Sequence, residues 1–96
     1  METFAGLDWD DGNLAKCQKH GVSIEEIAAM FAGEPRYAPD IAHSVVEQRL
    51  LAIGTTGSGR PIFVVFTIRE RGGRRYVRPI SARYMHAKEA ARFGYT

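Results

Sequence analysis

A single cysteine, Cys17, stands among the 96 residues. No intrachain disulfide can form, and nothing favours an oxidising compartment. No apolar run approaches the ~20 residues that a membrane-spanning helix needs. The stretch from Met1 to Asp11 carries acids where a secretory leader has a basic segment followed by an apolar one. A cytoplasmic setting without a membrane is expected. Ligand pairs for a metal are also missing: Cys17 and His20 are spaced for one helix face, but His43 and His86 fall on unrelated elements. No metal and no cofactor is expected. The length suits one domain over residues 1–96 with a single modest core.

Acids are scarce in the second half. Residues 49–96 hold two, Glu70 and Glu89, against ten bases, nine of them Arg, whereas residues 1–48 hold nine acids against three bases. The net charge of +2 conceals this split. Guanidinium offers a planar fork of donors that matches phosphate and stays charged at any ordinary pH, so the basic half suits an anionic partner such as nucleic acid. A second explanation stands beside it, because outward-facing Arg also keeps strands soluble and their edges unpaired.

The order of elements follows from local signals. Phe4, Leu7 and Trp9 make a short strand within Thr3–Trp9, and Asp10 and Asp11 supply N-cap chemistry for a helix from Asp11 to His20, ended by Gly21. Ser23 and Glu26 form a capping box, with Val22 and Ile27 as a hydrophobic staple. The second helix runs from Ser23 to Ala32, with Gly33 and Pro35 beyond it. Pro39 and the polar stretch Asp40–Ser44 limit the next piece, from Arg36, to a short edge strand or loop. Glu47–Gly54 reads as a strand, Thr55–Arg60 as a Gly-rich turn, and the apolar run Pro61–Ile68 as the central strand, covered on both faces. Arg71-Gly72-Gly73 reverses the chain into a strand over Arg74–Arg83, where Pro79 marks a bulge or an edge. Met85–Phe93 closes as a short helix. The fold expected is α+β: two N-terminal helices packed on an antiparallel sheet of three or four strands, with a short C-terminal helix.

Gly54–Pro61 resembles a Walker phosphate loop only superficially, since Arg60 and Pro61 stand where Lys and Ser/Thr are required, and a strand follows instead of a helix. Cys17 belongs to a helix face at a core position, which argues against a thiol nucleophile. His20 has two readings, a helix C-terminal cap or an acid/base group. Strict alternation puts Tyr76 and Arg78 on one face of their strand and Arg75 and Arg83 on the other, although a bulge at Pro79 would shift that parity. Arg49 and Arg69, at the ends of neighbouring strands, can join either cluster.

Leu7-Asp8-Trp9-Asp10, Lys19-His20-Gly21-Val22-Ser23 leading into Glu26, and Arg78-Pro79-Ile80-Ser81-Ala82-Arg83 occur in the order and spacing of a known family. The chain resembles the BrnT toxins over about Phe4–Phe93. That resemblance implies a RelE-like α+β fold and a ribonuclease toxin of a type II toxin-antitoxin pair. It also implies neutralisation by a BrnA-like antitoxin with a ribbon-helix-helix domain, and operator DNA bound through the complex. The closing segment Arg92–Thr96 is less charged than in many members, which bears on RNA affinity through the tail.

Metal-independent RNA cleavage needs a base for the ribose 2′-OH, cations for the phosphoryl charge and an acid for the leaving oxygen. Arg83 and His20 lie inside the matching motifs and are the catalytic candidates, for phosphoryl charge and for acid/base work. Arg78, Tyr84 and Arg49 are RNA-binding or supporting candidates on chemistry and position. Arg83 has a structural alternative, pairing with an acid of the first half such as Asp8 or Asp10. The competing function is a non-catalytic module that binds nucleic acid or antitoxin, an inactive toxin homologue.

Overall fold

In a computed structural model of the chain, residues 4–39 and 48–95 are described. The elements expected at Thr3, at Asp40–Ser44 and at Glu47, and the position of His43, lie outside them. The order is β1 (Gly6–Leu7), α1 (Asp11–Cys17), α2 (Ile24–Ala32), β2 (Arg36–Pro39), β3 (Leu50–Thr55), β4 (Pro61–Arg71), β5 (Arg74–Tyr84) and α3 (Ala87–Arg92).

The α+β class holds, but among the described residues the sheet has five strands and is mixed, ordered β1-β5-β4-β3-β2. The short strand expected within Thr3–Trp9 is present as β1, but it runs parallel to β5, with Gly6 opposite Tyr76 and Leu7 opposite Val77, where an antiparallel sheet of three or four strands is expected. Backbone bonds flank the pair, from Ala5 N to Arg75 O at 2.8 Å and from Asp8 N to Val77 O at 2.7 Å. Two residues joined to a partner seventy positions away leave no periodicity to detect. β4 occupies the centre, between β3 and β5, as its apolar run requires. Pro39 ends the edge strand β2, where no further neighbour needs its missing N–H.

Local capping sets both N-terminal helices. Asp10 caps α1, its carboxylate accepting from Gly12 N at 2.8 Å, while Asn13 Oδ1 accepts from Asp10 N at 2.9 Å. Ser23 and Glu26 form the reciprocal capping box of α2, with bonds of 3.0 and 2.9 Å. Helix α1 stops at Cys17, three residues before the expected His20. Turn bonds from Lys19 N to Lys16 O and from Gly21 N to Gln18 O take over the last carbonyls, and Gly21 adopts the left-handed conformation at φ 86°.

The main core joins α1 and α2 to one sheet face through Cys17, Val22, Ile27 and Met30 against Ala52, Ile62, Val64, Phe66, Val77 and Ala82. Burial pushes the Cys17 thiol up to about 11. Among the described residues the opposite face is covered at one end, where Met85 and Ala90, with Phe93, pack on Ile53 and Phe63. Val65 stays half-buried on that face while Phe63 is buried under α3.

Strand β5 contains a bulge. Phe66 pairs with Pro79 and Val65 with Ser81, so Ile80 has no partner in the register. Before the bulge Val77 and Pro79 face the helices; after it Ala82 does. Tyr76, Arg78, Ser81 and Arg83 therefore share the opposite face, which resolves the parity that alternation alone leaves open.

Candidate active site

On that half-covered face lies a groove of about 290 Å³ lined by His20, Leu51, Phe63, Val65, Ser81, Ala82 and Arg83. Its floor is the exposed part of β3–β5. One wall is the turn after α1, which reaches the stretch of β5 that β1 leaves unpaired. A larger groove of about 390 Å³ opens on the helix side, around Phe4, Leu7, Phe31 and Tyr37, but no cation or imidazole lines it. The smaller one brings His20 and Arg83 to a single concavity.

Arg83 is held on two sides. Its guanidinium lies 4.4 Å from the centre of the Phe63 ring. It also donates to Glu89 in a bidentate fork, Nη1 to Oε1 and Nη2 to Oε2, both at 2.7 Å. The pair holds the Glu89 carboxyl well below the usual carboxylate range, at about 2, and raises Arg83 further above its ordinary value. Glu89 Oε1 also accepts from the backbone N–H of His86 at 3.2 Å and lies 3.1 Å from His86 Nε2. The acid partner of Arg83 thus comes from α3, and not from Asp8 or Asp10. The signal in the sequence was an isolated acid three residues after His86, in the first turn of a short helix.

Asp8 and Asp10 hold Arg78 instead. Its nitrogens donate to both oxygens of Asp10 at 2.9 and 3.0 Å and approach Asp8 Oδ2 at 3.4 Å. Arg71 meets the other Asp8 oxygen at 2.8 Å. The Asp8 side chain is only 4% exposed and that of Arg78 17%. The bond with Arg78 lowers the Asp10 carboxyl pKa, and Asp10 in turn raises Arg78.

Tyr84 follows Arg83 on the strand and points the other way. Its hydroxyl donates to Glu26 Oε1 at 2.6 Å and lies 3.2 Å from Gly21 O. The Arg60 guanidinium stacks 3.4 Å over its ring. The hydrogen bond lowers the Glu26 carboxyl pKa and raises the Tyr84 phenol. Arg49 sits just ahead of β3, half-buried, and does not line the groove. His20 is exposed at the groove wall, beyond the end of α1 and so not part of its cap.

Among the described residues no three His, Cys, Asp or Glu side chains converge to hold a metal ion. No helix of the described residues is long and apolar enough to cross a membrane. A family model described as the ribonuclease toxin BrnT of type II toxin-antitoxin systems matches residues 9–89. No curated relative matches the chain.

Proposed function

Because the chain belongs to the BrnT family of ribonuclease toxins of type II toxin-antitoxin systems, we propose that the groove holding His20 and Arg83 is where this protein cleaves RNA, as a metal-independent endoribonuclease. The observation that carries the reading is the meeting of these two side chains on one concave sheet face. An imidazole can carry a proton at neutral pH, and a guanidinium matches the phosphoryl oxygens on which charge develops. Leu51, Phe63 and Val65 form an apolar floor for a base or ribose.

Arg83 stabilises phosphoryl charge and His20 moves a proton. Arg78 and Tyr84 act as supporting groups that tie β5 to the N-terminal half, and Arg49 contacts RNA beyond the groove. The toxin is cytoplasmic and is neutralised by a BrnA-like antitoxin whose ribbon-helix-helix domain carries the complex to operator DNA. The decisive measurement is cleavage of RNA by the purified chain in the presence of EDTA, with Arg83→Ala beside it. Cleavage abolished by the substitution supports the reading; RNA left intact by the unaltered chain overturns it.

The bidentate Arg83–Glu89 pair favours a second reading, a chain that binds RNA or antitoxin without cutting. That reading predicts salt-sensitive binding with no product, since log affinity falls with log salt as phosphate contacts accumulate.

A further inference from the structure

Glu89 Oε1 is shared: Arg83 Nη1 lies 2.7 Å from it and His86 Nε2 3.1 Å. The imidazole and the guanidinium that lines the groove are therefore separated by one carboxylate oxygen. We infer that His86 is a second catalytic imidazole of the ribonuclease site, the general base, and that Glu89 is the residue that positions both it and Arg83. This rests on the ribonuclease reading above and names the base that reading leaves open.

Three features carry the assignment. Glu89 Oε1 stands 3.1 Å from His86 Nε2, and a carboxylate against one ring nitrogen favours the proton on that side and the lone pair on Nδ1. The His86 side chain is 73% exposed, so the ring is within reach of a ribose from solvent. Glu89 is already satisfied by Arg83 and remains ionised at any pH at which RNA is handled, its carboxyl sitting at about 2. It acts by orientation. Arg83 has five N–H donors, of which Glu89 takes two and the Tyr84 carbonyl, at 3.4 Å, a third. The remainder can meet a phosphoryl oxygen without breaking the pair.

In the step that follows, His86 Nδ1 takes the proton of the 2′-OH as O2′ bonds to phosphorus. Arg83 faces the charge that builds on the phosphoryl oxygens. The P–O5′ bond then breaks, and O5′ takes a proton from the protonated His20 across the groove. The products are a 2′,3′-cyclic phosphate and a 5′-hydroxyl, and water returns the two imidazoles to their starting states. Among the described residues the charged group in contact with His86 is Glu89 from α3, which Arg83 from β5 also pairs with.

The test is the pH dependence of kcat/KM for RNA cleavage by the full chain. The unaltered protein gives a bell-shaped profile whose limbs report the base and the acid. His86→Ala lowers the rate roughly a hundredfold or more, abolishes the ascending limb and leaves Tm unchanged. His20→Ala abolishes the descending limb. Glu89→Gln lowers kcat with little change in KM, because the imidazole and the guanidinium lose the carboxylate that positions them. Native activity in His86→Ala, or an ascending limb that survives it, overturns the inference alone, provided Arg83→Ala is inactive. An unaltered chain that leaves RNA intact overturns the ribonuclease reading and this inference with it.

Discussion

The Tyr84 hydroxyl donates to Glu26 Oε1 at 2.6 Å, and the same oxygen accepts the Ser23 N–H at 2.9 Å. One carboxylate therefore caps α2 and anchors the last strand. Tyr84→Phe removes the second function and spares the first. The expected result is a Glu26 carboxyl that titrates at higher pH by NMR and a Tm lower by a few degrees. A Glu26 titration that does not move would show that the hydroxyl has another partner in solution.

Arg78 and Arg83 share a sheet face but not a fate. Arg78→Ala leaves Asp8, 4% exposed, with only Arg71 beside it, and uncompensated buried charge is destabilising. Its expected signature is a Tm lower by several degrees. Arg83 is 46% exposed and its partner Glu89 14%, so Arg83→Ala lowers Tm less than Arg78→Ala does and lowers cleavage by roughly a hundredfold or more, the usual cost of removing a donor aimed at developing charge. Thermal melts and cleavage rates for the two variants check the contrast; equal Tm losses would contradict it.

Asn13 is buried and makes three hydrogen bonds, accepting from Asp10 N and donating through Nδ2 to Asp8 O at 2.9 Å and Pro79 O at 2.8 Å. It bonds at once to α1, to the chain after β1 and to the bulged part of β5. Asn13→Ala strands buried carbonyls and an N–H, and is expected to cost roughly 2–4 kcal/mol. Urea denaturation measures it, and a loss below about 1 kcal/mol would mean that water replaces the amide.

Acid should destabilise the fold in a defined window. Glu89 has a folded value of about 2, lowered from 4.5 chiefly by the Arg83 hydrogen bond. The native state therefore holds this proton less tightly than the unfolded chain does. The contribution is complete above about pH 4.5 and is lost as pH falls toward 2. Glu26 and Asp10 are shifted in the same direction. Urea midpoints followed from neutrality to pH 2 should fall across this window, and Glu89→Gln should flatten part of the slope. An unchanged slope in that variant would place the acid sensitivity elsewhere.

How far the fold could be read in advance depended on how local its causes are. The Ser23–Glu26 box, the central apolar strand and the Gly72–Gly73 reversal are set by neighbours in sequence, and each lies where composition puts it. The parallel pairing of Gly6–Leu7 is a contact between distant segments and left no periodic mark. His20 and Arg83 were singled out separately, but their shared groove depends on the turn after α1 passing the open edge of β5, which no spacing encodes. The abundant acids of the first half offer Arg83 apparent partners in Asp8 and Asp10. The chain instead folds back through Met85 and delivers Glu89 onto the face where Arg83 emerges. The charge asymmetry proved partly internal, since Asp8, Asp10 and Glu26 are committed to Arg71, Arg78 and Tyr84.

The unpaired Ile80 acts as a parity bit for the molecule. Drawn into the ladder opposite Val65, it would leave the composition of β5 intact and still invert everything downstream: Arg83 would turn into the apolar layer beneath the helices, and Ala82 would surface in the groove. One inserted residue thus lets a single strand write two messages on the same side of a sheet, a clasp for the N-terminal acids at one end and the guanidinium of the His20 groove at the other.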